Sequence, residues 1–179
     1  MEKVRKFSSQ FFIFIIDFYK LLVYNMVYYI CDWWENMEFD ITKFSNIIKN
    51  QPIGKLSPDM VNFILSKKPD FEGRISSDKD ILFWAARVKH IEKHRSDFNT
   101  ENDFDDCCKK IPSIIENPDY ISIHPKDESV SFIKKFDQNV SVAIKISTEG
   151  EMVFRTMYPL RDSQLNNYIA NGRCWKIES

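Results

Sequence analysis

The stretch Val140-Ser141-Val142-Ala143-Ile144-Lys145-Ile146-Ser147 puts an aliphatic side chain at every second position, with small or charged residues between. Successive side chains on a strand point to opposite faces, so this pattern predicts a strand with one apolar face. Reading outward, residues 120–124, 129–135 and 152–158 alternate in the same way. They are separated by Pro125-Lys126-Asp127-Glu128, Asp137-Gln138-Asn139 and Thr148-Glu149-Gly150-Glu151. A parallel crossover needs a dozen or more residues, so connections this short predict antiparallel neighbours. The expectation is a four-stranded antiparallel meander.

Helical spacing dominates upstream. Ser57 followed by Pro58 suits a helix start, and Met60, Phe63 and Ile64 supply a small apolar face. Ser76 and Ser77 offer caps and Asp78 and Asp80 suit a helix N-terminus. Ile81, Trp84, Ala85, Val88 and Ile91 then recur as one apolar stripe, which predicts a helix facing the core. Projection at about 100° per residue places Phe83, Arg87, His90 and His94 on its opposite side. Thr100 caps a further helix, with Asp103 three residues on and Phe104, Cys107, Cys108 and Ile111 inward, and Pro112 breaks or restarts it. After the strands, Asp162 opens a short helix carrying Leu165, Tyr168 and Ile169, and Gly172 closes it. The expected class is α+β: N-terminal helices, a four-stranded antiparallel meander packed on helices, and a short C-terminal helix.

The chain has 179 residues, 44% of them hydrophobic, which is enough for one globular domain and an appendage. Residues 1–37 form an aromatic-rich hydrophobic segment, 38–77 a connector punctuated by Pro52, Gly54, Pro58, Pro69 and Gly73, and 78–179 the α+β domain. Between Phe11 and Trp34 the apolar run is interrupted by Asp17, Lys20, Asn25 and Asp32, and charges at mid-membrane are costly, so spanning is disfavoured. Residues 11–34 are instead read as a packed or oligomer-forming helix, with a membrane-surface contact as the alternative. No small-residue cleavage site follows the run. Cys31, Cys107, Cys108 and Cys174 show no CxxC spacing and suit buried thiols in a reduced, cytoplasmic protein, with a secreted or delivered effector as the alternative. The net charge of −1 gives no general attraction to nucleic acid, so any such binding has to come from a local patch.

That patch is Lys89-His90-Ile91-Glu92-Lys93-His94-Arg95, which holds two of the three histidines among four cationic or acidic neighbours. Histidine exchanges protons near neutral pH, and flanking cations suit it to an anionic substrate such as a phosphodiester. A solvated basic face is the equally weighted alternative. Two histidines four apart on a helix are also half of a zinc site. However, Ile91 rather than glutamate follows the first histidine, and Lys93 and Arg95 oppose a dication. Neither metal nor cofactor is expected.

The order of KHIEKHRSDF (89–98), IIENPDYISI (114–123), FIKKFDQNVSVAIKI (132–146) and VFRTMYPL (153–160) resembles the phage-associated nuclease-like domains of the barnase–EndoU–colicin–RelE superfamily over roughly Gly54 to Ile177. The resemblance implies a small, metal-independent endoribonuclease, toxin-like, with RNA as substrate and a cognate immunity or antitoxin protein as partner. In such enzymes the ribose 2′-hydroxyl attacks the adjacent phosphorus and leaves a 2′,3′-cyclic phosphate. It further implies His94 and His90 for proton transfer, Arg155 for the phosphate, and Thr156 and Tyr158 for positioning or proton donation. Lys93, Arg87, Arg95 and Lys145 are the candidate substrate contacts.

Strand geometry raises an objection, because Arg155 and Thr156 point to opposite faces unless the strand bulges or ends there. The plainer alternative makes Phe154 and Tyr158 core aromatics with Arg155 solvated. Two other functions stay open: an inactive nuclease-fold module that binds RNA or a protein, and an assembly protein acting through its aromatic N-terminus.

Overall fold

The computed structural model describes residues 39–41 and 49–177, all within the unit that begins at Phe39. The expectations for residues 1–37, including the packed or membrane-surface helix over 11–34, lie outside the described residues. Among the described residues no helix is long and apolar enough to cross a membrane.

The class is α+β, but the sheet is wider than the meander expected. Its seven strands are β1 (Asn50–Lys55), β2 (Asp80–Trp84), β3 (Tyr120–Ile123), β4 (Ser129–Lys135), β5 (Asn139–Ile146), β6 (Met152–Leu160) and β7 (Cys174–Lys176). They lie in the order β1-β2-β6-β5-β4-β3-β7 among the described residues. All neighbours are antiparallel except β2 and β6. The helices are α1 (Pro58–Lys67), α2 (Val88–Ile91), α3 (Glu101–Lys109), α4 (Ile111–Glu116) and α5 (Asp162–Ala170).

Val140, Val142, Ile144 and Ile146 on β5 are at most 2% exposed and join Val130, Phe132, Phe154 and Met157 in the main core. Ile64 of α1, Phe104, Cys107 and Cys108 of α3, and Ile114 and Ile115 of α4 close that core from one side. Helix starts follow side-chain caps: the Met60 N–H donates to Ser57 Oγ at 3.2 Å and the Asp103 N–H to Thr100 Oγ1 at 3.1 Å. Pro112 sits in the first turn of α4, where no backbone N–H is needed.

The other sheet face is covered only in part. Leu165 of α5 packs with Ile133, Leu160 and Cys174, bordered by Tyr120, Tyr158 and Tyr168. Beside this small cluster the face carries Ser122, Ser131, Ala143 and Thr156, which are too small to build a second core, and a cleft opens over them.

The helix expected from Ser76 to Ile91 is corrected in its first half. Residues 80–84 are strand β2, 85–87 a 3₁₀ turn, 88–91 the single-turn α2, and 92–97 a further 3₁₀ stretch. Trp84, expected on the core stripe, is 41% exposed, whereas Phe83, expected on the outer side, is fully buried between Phe39 and Phe154. The period-two pair Ile81 and Phe83 prevails because β2 is paired on both sides, with β1 and with β6. The segment read as a connector supplies β1 and α1, and Ile53, Leu56, Ile64, Phe71 and Ile75 are buried in the main core.

Candidate nuclease site

Strand β2 accompanies β6 only at Ile81–Met152 and Leu82–Val153. Beyond that point the chain parts from β6, keeping its pairing with β1 to Trp84, and the turns from Ala85 to Asp97 run beside the C-terminal half of β6. Ile91 anchors them in the main core. That anchoring brings the histidines to the edge of β6: the His94 ring lies 6.2 Å from that of Tyr158, and the His90 ring 5.8 Å from that of His94.

The objection from strand geometry is answered at the same place. Ala143 faces Thr156 while the next residue, Ile144, faces Phe154, so Arg155 is an extra residue in β6. A bulge of this kind resets the alternation. Phe154 and Met157 point into the core, whereas Arg155, Thr156 and Tyr158 line one cleft of about 270 Å³ together with Ser129, Ser131 and Tyr168. Phe154 is a core aromatic as the plainer reading has it, but Tyr158 is not, and Arg155 is half-buried rather than solvated. Tyr158 also lines a larger cleft of about 850 Å³ with His94, Asp97, Lys135 and Arg161. The phenol therefore stands where the two clefts meet.

Two carboxylates complete this cluster. Asp97 Oδ2 lies 2.9 Å from His94 Nδ1, which leaves Nε2 to face a substrate when Nδ1 carries the proton. Asp127 pairs with the Arg155 guanidinium, which also donates to Ser129 Oγ at 2.7 Å. Burial would raise the Asp127 carboxyl, but the hydrogen bond and charge of Arg155 prevail and hold it below the usual carboxylate value.

Two shifts bear on proton transfer. Burial, followed by the positive charges of His94, Arg87, Lys93 and Arg155, lowers His90 below the ordinary imidazole value, so it is uncharged at neutral pH. Burial raises the Tyr158 phenol, with Tyr168 adding to the effect and Ser141, Arg155 and Arg173 opposing it. Tyr158 consequently keeps its proton at neutral pH.

The remaining sequence candidates divide. Arg87 and Lys93 are close enough for their charges to act on His90. Lys145 is exposed on β5 opposite Ser129, on the same sheet face as the cleft but outside its lining. Arg95 is turned to other partners: Glu92 at 2.9 Å, Asp105 at 2.9 Å and the face of Phe104 at 4.2 Å. The NPDY turn is a clasp, because Asp119 accepts from the Lys135 N–H at 2.7 Å and from Lys134 Nζ at 3.1 Å. Sequence reasoning missed Asp97, Asp127, Ser129 and Arg173. Two signals were visible: Asp97 stands three residues after His94, and Ser122, Ser129, Ser131 and Ser141 occupy the non-core positions of their strands.

Among the described residues no group of three or more His, Cys, Asp or Glu is arranged to hold a metal ion. No curated protein and no solved structure matches the chain. The family model described as phage-Barnase-EndoU-ColicinE5/D-RelE like nuclease 3 matches residues 68–167, a span that contains His90, His94, Arg155, Thr156 and Tyr158. That span is more than half of the sequence, and the chain belongs to this phage-associated nuclease family.

Proposed function

We propose that the chain is a metal-independent, toxin-like endoribonuclease that leaves a 2′,3′-cyclic phosphate. The observation that carries the reading is His94, held by Asp97, beside Tyr158 at the junction of two clefts, with Arg155 brought to the same strand edge by the bulge. His94 accepts the proton of the ribose 2′-hydroxyl as the 2′-oxygen bonds to phosphorus. The bond from phosphorus to the 5′-oxygen breaks, and Tyr158 gives its proton to that leaving oxygen. The Asp97 carboxylate supports the imidazolium formed on His94 and fixes its ring. His90, uncharged and adjacent, exchanges protons with His94 between turnovers. Arg155 and Lys93 bear on the phosphate charge, with Arg87 adding to the positive field, and Thr156 positions the nucleotide. The cations around the imidazoles disfavour a divalent ion there, which supports chemistry without a metal.

A nuclease that cuts cellular RNA needs a neutralising partner where it is made, so the proposal includes a cognate immunity or antitoxin protein. The Arg155–Asp127 pair favours a second reading, in which the domain binds RNA or a protein without cutting. Incubating the full chain with total RNA in excess chelator, beside His94→Ala and Arg155→Ala, separates the two. Cleavage that both substitutions abolish supports the enzyme, and an inactive wild type favours the binding module.

A further inference from the structure

Arg155 is already paired, but a second arginine in the same cleft is not. The side chain of Arg173, just before β7, makes no hydrogen bond or ion pair among the described residues, although its backbone pairs with Tyr168 and Ile123, and its Nε is buried without a partner. Arg173 is half-buried and its guanidinium lies over the Tyr168 ring, 4.0 Å from the ring centre, which holds it in place without satisfying its donors. Leaving buried donors unmet is costly, and such atoms call for an explanation of what they meet in use. The Thr156 hydroxyl of the same cleft is also buried and unpartnered. The cleft is thus rich in donors, with hydroxyls of Ser122 and Ser131 on its floor and Asp127 already engaged by Arg155.

Arg173 also borders a third cleft of about 380 Å³, on whose rim lie Lys67 and Lys68 against a single acidic residue, Asp70. Lys67 Nζ sits 5.3 Å from the centre of the Trp175 ring, beside the same opening. Positive charge therefore continues away from the histidines, from Arg155 through Arg173 to the lysines. Arg173 and Trp175 lie outside the family match, which ends at residue 167.

We infer that Arg173 is the centre of a second phosphate subsite, which takes a backbone phosphate of single-stranded RNA next to the one being cut. This rests on the ribonuclease reading of His94 and Tyr158 for the identity of the polyanion. The bound strand passes Tyr158, crosses the serine floor and leaves toward Lys67. Arg173 is a binding residue: it holds a phosphate that does not react.

The test measures binding of the full chain to a fluorescent, fully 2′-O-methylated single-stranded RNA that cannot be cut, over a range of salt. One lost phosphate contact lowers the slope of log K against log salt by about 0.7 and weakens binding about fivefold at 0.1 M salt. Arg173→Gln is expected to show both effects, Arg173→Lys to recover the slope, and Lys67→Gln to show a weaker version. Unaltered affinity and slope in a folded Arg173→Gln protein overturn the inference. If that variant does not fold, unaltered binding by Lys67→Gln overturns it instead. Because the probe is uncleavable, an inactive wild type would refute the ribonuclease reading without affecting this result.

Discussion

Asp97→Asn is the most informative single change, because it keeps shape and removes only charge. The carboxylate oxygen is 2.9 Å from His94 Nδ1 and the Asp97 side chain is 54% exposed, so a water-like dielectric is the appropriate choice. Two unit charges at that distance interact by about 1.4 kcal/mol in water. If His94 becomes positive in the transition state, loss of the carboxylate slows the chemical step about tenfold. Deleting the base itself costs more, about 10²- to 10⁴-fold. Single-turnover cleavage of a short RNA, with protein in excess and chelator present, reads both numbers without interference from product release. The expected ranking is wild type, then Asp97→Asn, then His94→Ala. An Asp97→Asn enzyme as fast as wild type, or a His94→Ala enzyme no slower than Asp97→Asn, would refute the role given to this pair.

Other substitutions separate the proton donor, the Asp127 pair and the core. Tyr158→Phe removes the proposed donor and should lower the single-turnover rate by about 10²-fold or more, with little change in melting temperature. Because the Asp127 carboxyl is held below its unfolded value of about 3.9, its pairing stabilises the fold above that pH and the benefit disappears as pH falls through the lower folded value. Thermal melts of Asp127→Asn should therefore lie below wild type at pH 7 and converge with it near pH 2; a constant gap would contradict this. Phe154→Ala empties a fully buried site against Phe83, whose ring centre is 4.7 Å away, and should cost about 3–5 kcal/mol by denaturant titration. Burial pushes Cys107 and Cys174 up to about 11 and Cys108 to about 12, so these thiols should resist a thiol reagent at pH 7 until the protein unfolds.

The strands of the second half were legible because both faces of β5 report the same period: aliphatic residues meet the core and small polar ones the cleft. The region before the histidines was not. Ile81, Trp84, Ala85, Val88 and Ile91 satisfy a helical period, while Ile81 and Phe83 satisfy a strand period, and five residues are too few to decide between them. The decision comes from hydrogen bonds to β1 and β6, which are remote in sequence and invisible to any local pattern. Strand β1 was missed for a related reason, since Pro52 and Gly54 read as turn residues but lie in an edge strand with an irregular register. The placement of His90 and His94 survived this error because residues 88–97 are helical turns even though 80–84 are not. The bulge at Arg155 leaves no trace in composition, and alternation alone would separate Arg155 from Thr156. Asp127 and Arg173 reach the cleft through long-range packing, so nothing in their own neighbourhoods announced them, whereas Asp97 stands only three residues after His94 in the same 3₁₀ stretch.

The central claim is that His94 and Tyr158 drive attack by a ribose 2′-hydroxyl. An otherwise all-deoxy oligonucleotide with one ribonucleotide, incubated with the full chain in excess chelator, tests it most directly. Attack by the 2′-oxygen gives a single cut on the 3′ side of the ribonucleotide, ending in a 2′,3′-cyclic phosphate that mass spectrometry can weigh. Cutting at deoxy positions, or a cut whose product carries a 5′-phosphate, would contradict it.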